Sequence, residues 1–141
     1  MFMKILALYV LCMLFSKATE PTATLQVDIT NVKSGNGKIL IGIYKPDEKF
    51  GGGKSSISKI IEVNSAMDQT AVFKLEPGRY ALALYHDLNG NNKIDKNLVG
   101  IPKEPYGFSK NFRPRFSAPS FEDCAFELLP GGKTISVKLT N

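Results

Sequence analysis

His86-Asp87-Leu88-Asn89-Gly90-Asn91-Asn92-Lys93-Ile94-Asp95 is the stretch of this 141-residue chain whose residue types and spacing best suit chemistry. Asp87, Asn89 and Asn91 stand at the first, third and fifth positions of a calcium loop, and Asp95 at the ninth. Oxygens at alternate positions of a tightly wound loop converge on one point, and Ca2+ takes about six to eight hard oxygen ligands. The Lys93 carbonyl falls at the seventh position, and Ile94 supplies the apolar anchor common at the eighth. The sixth position is Asn92 instead of Gly, tolerable because Asn enters the left-handed region. The twelfth is Leu98, so a bidentate Glu is missing and the expected affinity is weak, about 10⁻⁴ to 10⁻³ M. The same residues also suit a self-capped loop, in which Asp and Asn side chains accept hydrogen bonds from their own backbone. The sequence leaves both readings open.

Other chemistry is thinner. One His, no Trp and two Cys exclude a Cys₂His₂ or His₃ zinc centre within one chain, and a disulfide framework with it. A hydrolase or isomerase would have to draw on Asp87 and His86 with Glu122 or Asp123. General acid–base work needs two groups within reach of one substrate, and the spacing provides no such pair. By alternation His86 shares the face of Leu84, which favours a hydrogen-bonded interior side chain over a catalytic one. Binding is better served. Tyr106, Phe108, Phe112 and Phe116 are interleaved with Lys110, Arg113 and Arg115, an aromatic and basic set of the kind that anchors interfaces. Sugars, anionic polymers and an envelope protein are all candidate ligands for such a rim.

The elements that must carry these residues alternate with period two. Leu25, Val27 and Ile29 alternate with Gln26, Asp28 and Thr30, and Ile39, Ile41 and Ile43 resume the pattern after a Gly-Asn-Gly turn. Further strands are expected over 57–63, 70–75, 79–85, 124–128 and 134–139. Seven short strands separated by turn residues predict an all-β fold, a single antiparallel β-sandwich of immunoglobulin-like or transthyretin-like type. Leu75-Glu76-Pro77-Gly78-Arg79-Tyr80 resembles the corner of such sandwiches: a type II turn with Gly78 at its third position, tied down by the Tyr80 hydroxyl. Cys124 alternates with Phe126 and Leu128, which predicts a buried, structural thiol on a strand. One long loop, residues 99–122, has no strand alternation.

Residues 1–18 read as a signal peptide. Lys4 precedes an apolar run of eleven residues, and Ser16-Lys17-Ala18 places small residues where a signal peptidase reads. Eleven apolar residues are too few to span a bilayer, which takes about 20. Leu11 ahead of Cys12 is not the small residue of a lipoprotein signal. The mature domain is then 19–141, with no transmembrane segment, exported to the periplasm or secreted. Losing Lys4 and Lys17 lowers the net charge from +5 to +3. That charge is scattered, which argues against nucleic acid as partner.

The run from Tyr80 to Phe126 resembles a bacterial family of exported proteins catalogued as domain of unknown function 2141. The residues that carry the resemblance are 86–95, then Gly100-Ile101-Pro102-Lys103-Glu104-Pro105-Tyr106-Gly107-Phe108-Ser109, then Pro119-Ser120-Phe121-Glu122-Asp123-Cys124-Ala125-Phe126. Pro105 and Cys124 depart from the family's usual small residue and Ala. The resemblance implies export, the sandwich, and a common unit formed by the 87–95 loop and the 99–122 loop; it implies no activity. The resulting expectation is an exported, non-catalytic binding or envelope-accessory module with a weak calcium loop. The alternatives are the hydrolase or isomerase above, and a purely structural domain of an envelope assembly.

Overall fold

A computed structural model of the chain describes residues 21–52 and 54–140. The signal-peptide segment lies outside the described residues. Among those described there are eight strands: β1 (Ala23–Thr30), β2 (Lys38–Tyr44), β3 (Ile57–Glu62), β4 (Gln69–Leu75), β5 (Gly78–Asp87), β6 (Tyr106–Phe108), β7 (Phe126–Leu128) and β8 (Lys133–Lys138). A single 3-10 turn, Ser109–Asn111, follows β6, and a one-turn helix, α1 (Phe121–Cys124), precedes β7.

The strands form two sheets around one core. The first has the order β4-β1-β8, the second β3-β2-β5-β6, with β7 pairing the start of β5. All pairings are antiparallel except β1 with β8, which is parallel from Leu25↔Lys133 to Thr30↔Lys138. The period-two pattern explains which face is inside. Leu25, Val27 and Ile29 of β1, Ile39, Ile41 and Ile43 of β2, and Leu82 and Leu84 of β5 are all buried in one cluster. Burying each such side chain stabilises by about 1.5–3 kcal/mol.

One edge of β5 is shared. Gly78–Tyr80 pairs with β7 and Ala83–Tyr85 with β6, leaving Leu82 between the two partners. The fully buried Ser109 fills that gap: its hydroxyl accepts from Leu82 N–H at 2.9 Å and donates to the Cys124 carbonyl at 2.6 Å. The second sheet meets the first at one corner, where Tyr106 and Thr140 exchange two backbone hydrogen bonds of 2.8 and 2.9 Å. Close approach there requires Gly107, since a Cβ at that position would lie 2.7 Å from Val137 Cγ1.

Four expectations need correction. The sandwich is not wholly antiparallel, since β8 returns beside β1 in the same direction and the two pair in parallel. There are eight strands instead of seven, because 99–122 is not a plain loop: it carries β6, the 3-10 turn and the start of α1. Cys124 ends α1 instead of opening a strand, although it is buried as expected. The Glu76–Arg79 corner is no type II turn through Gly78, which has no left-handed φ and already pairs with Leu128 as the first residue of β5. The Tyr80 hydroxyl nevertheless donates to the Glu76 carbonyl at 2.8 Å, tying the corner as anticipated.

Candidate functional site: an aromatic sheet face and its bordering loop

β5 sends alternate side chains to opposite sides, and at its end this alternation separates His86 from Asp87. His86 points inward and is buried. Its Nε2 lies 2.7 Å from the Asn36 carbonyl, so this nitrogen carries a proton and donates. The imidazole is therefore a strut between β5 and the turn that leads into β2.

Asp87 is fully buried and closes the loop that follows it. Oδ1 accepts from Gly90 N–H at 2.7 Å and Oδ2 from Asn92 N–H at 2.8 Å. Asn89 Oδ1 accepts from Asn91 N–H at 3.1 Å, and Asn91 Oδ1 from Lys93 N–H at 2.9 Å. The Asn89 and Asn91 amides donate to the Asp95 carboxylate, at 2.6 Å and 3.2 Å. Asn92 adopts φ 60°, the left-handed geometry its position requires. This is the self-capped arrangement. Among the described residues no three carboxylate, imidazole or thiol groups gather as a metal site, and Asp95 would have to release the two amides before coordinating a cation on this turn.

Glu104 joins this loop to the next segment. It is 5% exposed, and its two oxygens accept from Leu88 N–H at 3.0 Å and Asp95 N–H at 3.1 Å, one at each end of the loop. Nothing local in Pro102-Lys103-Glu104-Pro105 announces this role. The expected unit of two loops thus exists, with Glu104 as its fastener.

Outward-facing positions of the second sheet, with Phe50 from the loop after β2, hold an aromatic strip in which Tyr44 is buried and Phe50, Tyr106 and Phe108 are half-buried. Tyr44 and Phe50 stand edge to face with centroids 5.1 Å apart, Phe50 and Phe108 are 5.9 Å apart, and Phe108 and Tyr106 5.8 Å. Tyr85 lies opposite Tyr106 in register. The floor is made of small residues, Gly42 facing Ala83 and Ala83 facing Phe108. A Cβ on Gly42 would come 2.9 Å from Ser55 Oγ and 3.1 Å from the Tyr44 ring. Phe50 reaches the strip because Glu48 fastens its loop, accepting from Lys45 N–H at 2.6 Å and Ser56 N–H at 2.7 Å. The Lys45 backbone bond above all holds the Glu48 carboxyl below its usual range. Burial, then the charges of Asp87, Glu104 and Asp95, push the Tyr85 hydroxyl up, so one end of the strip borders the carboxylates of the loop.

Of the seven residues expected to form a binding rim, Tyr106 and Phe108 lie in this strip. Sequence reasoning missed Tyr44, Phe50 and Tyr85; for Tyr44 the signal was the apolar residues on both alternating faces of 39–44. The other five lie elsewhere. Lys110 (φ 61°) sits near α1, where its charge helps lower the Glu122 and Asp123 carboxyls. Arg113 donates to the Lys138 carbonyl at 3.2 Å, alongside Asn111, whose side chain bonds Ser136 and Lys138; together they cover the edge of β8. Phe112 is half-buried, Arg115 is exposed, and Phe116 stands almost wholly in solvent.

The acid–base candidates are occupied by architecture. Glu122 pairs with Arg79 at 2.6 Å, and this bond is the main cause of its lowered pKa. Asp123 forms a capping box with Ser120, accepting from its N–H at 2.8 Å. Burial pushes the Cys124 thiol up to about 11, away from any thiolate chemistry. An open depression of about 340 Å³ is lined by 35–38, 62–64 and Gly90, with Lys38 and Glu62 its only titratable lining residues.

Residues 27–136 match the family described as "Uncharacterized protein conserved in bacteria (DUF2141)". The chain belongs to this family. The match runs from within β1 to within β8, so the DUF2141 region includes both sheets, the 87–95 loop, Glu104 and the aromatic strip. No curated protein and no solved structure matches the chain.

Proposed function

We propose that the protein is an exported, non-catalytic module that binds a glycan on the outer face of its second sheet, on an immunoglobulin-like sandwich. The observation that carries this reading is the strip Tyr44–Phe50–Phe108–Tyr106. The outer face of an antiparallel sheet is ordinarily polar, and here it carries rings in contact with one another. Aromatic faces offer flat apolar area while tyrosine hydroxyls keep a polar handle, a combination suited to the C–H faces and hydroxyls of a pyranose. The immunoglobulin-like assignment rests on the Tyr80 tie across the β4–β5 corner. Affinity electrophoresis against soluble β-glucans, α-glucans and chitin oligosaccharides tests the reading. Retardation by one of these, lost in Tyr106→Ala and Phe50→Ala with the fold intact by circular dichroism, supports it. Absence of retardation across the panel, or retardation that survives both substitutions, overturns it and points to a protein partner.

A calcium ion on Asp87, Asn89, Asn91, the Lys93 carbonyl and Asp95 is the second reading of the bordering loop, favoured by the left-handed Asn92 at the sixth position. Melting curves in chelator and in about 10 mM Ca2+, above the range of weak extracellular sites, separate the two. A calcium-selective rise in Tm that Asp95→Ala abolishes supports the ion. Superimposable curves leave a self-capped loop.

A further inference from the structure

Residues 95–103 fold back on themselves as a short finger. Lys96 bridges Pro102, Asn97 N–H donates to the Ile101 carbonyl at 2.8 Å, and Lys103 N–H donates to the Asp95 carbonyl at 2.8 Å. At the tip, Gly100 N–H donates to the Asn97 carbonyl at 3.0 Å, while Asn97 Oδ1 accepts from both Val99 and Ile101 N–H at 3.0 Å. Five backbone donors are thus closed inside the finger. The side chains do the reverse: Leu98, Val99 and Ile101 are 107%, 78% and 56% exposed. A turn facing water is usually made of Gly, Asn, Asp or Ser. Apolar side chains outside and most backbone donors closed inside suit a segment that seats at the headgroup boundary of a bilayer, where the remaining backbone groups stay within reach of water.

The charges around the finger agree. Lys93, Lys96 and Lys103 are exposed. The acids of the same stretch are engaged inward, Asp95 with the Asn89 and Asn91 amides and Glu104 with two backbone N–H groups. Glu104 grips the base of the finger at Asp95, so the tip is presented on a fixed support.

We infer that this finger docks the protein on a bilayer with anionic headgroups. Leu98, Val99 and Ile101 enter the boundary between headgroups and acyl chains, and the three lysines meet the phosphates. The residues are distinct from those of the aromatic strip, so the two proposals fail independently.

The chain has no Trp, which makes Leu98→Trp a reporter at the tip itself. Emission of this variant is read with vesicles of phosphatidylcholine and with vesicles rich in phosphatidylglycerol. Docking gives a blue shift on the anionic vesicles only. Replacing Lys93, Lys96 and Lys103 by Gln in that background weakens the titration by about fivefold per lysine, on the order of 100-fold together. Because the fluorophore reports its own burial, adsorption through another segment leaves its emission unchanged, and that result overturns the inference. So does a blue shift that grows with protein concentration without vesicles, which would make the partner a second copy of the chain.

Discussion

Replacing Glu104 by Gln keeps the shape of the side chain and removes the charge that two backbone N–H groups share. In the native chain each oxygen takes one donor, Leu88 N–H at 3.0 Å and Asp95 N–H at 3.1 Å, at a site 5% exposed. Hydrogen bonds to a charged group are worth about 1.5–3 kcal/mol, against about 0.5–1.5 for neutral ones. Gln can serve one donor through its carbonyl, but its amide then turns hydrogens toward the other. One bond weakens and one is lost, with a partly buried N–H left unpaired, for a total of roughly 2–4 kcal/mol. At about 3 °C per kcal/mol for a domain of this size, Tm falls by roughly 6–12 °C. Thermal unfolding followed by circular dichroism gives the shift. Hydrogen exchange at Leu88 and Asp95 locates it, since these two amides should lose protection while β2 and β5 keep theirs. A Tm within 2 °C of the native value, with both amides still protected, would refute the view that Glu104 fastens the two loops together.

Ser109→Ala leaves Leu82 N–H and the Cys124 carbonyl without their buried partner and should cost roughly 2–4 kcal/mol; urea unfolding should show a lower midpoint at unchanged slope, and an unchanged midpoint would count against the bridge. Cys124 should resist thiol reagents at pH 8 except through unfolding. Burial raises its folded-state pKa to about 11, so the stability tied to the neutral thiol is intact below the unfolded thiol's pKa and lost as pH rises toward 11; Cys124→Ala should lack that alkaline step, and an identical step in both proteins would sink the assignment. Gly107→Ala drives a Cβ to 2.7 Å from Val137 Cγ1 and should destabilise by about 1–3 kcal/mol, an effect that Val137→Ala relieves in a double-mutant cycle. Additive losses would show that the two residues are not in contact.

Most of the sheet framework is legible in the sequence because each long strand has one buried face. Ile39, Ile41 and Ile43 state their orientation outright, and so do Leu25, Val27 and Ile29. β6 escapes that logic. Its inward position is Gly107, kept bare by the approach of Val137, so Tyr106 and Phe108 read as loop aromatics instead of the outer face of a strand. α1 is too short for helical periodicity, although Ser120-x-x-Asp123 was a usable capping signal. The 87–95 loop was legible as a local set of side-chain oxygens, suited alike to a cation and to its own backbone, since Asx turns are local. Glu104, Ser109 and Phe50 were not, because each acts on a segment distant in sequence. A carboxylate that caps an N–H sixteen residues back has no pattern to betray it.

The parallel pairing of β1 with β8 has a mechanical consequence. Tension applied through the chain before β1 and after β8 pulls two neighbouring strands past each other along their length. Six consecutive register pairs, Leu25↔Lys133 to Thr30↔Lys138, then share the force in shear, whereas an antiparallel hairpin pulled at its open end gives way one rung at a time. With β1 held on its other side by β4 over seven pairs, the first sheet forms a clamp. A domain held between an anchor on one side and a cargo on the other would resist extension most strongly at that seam.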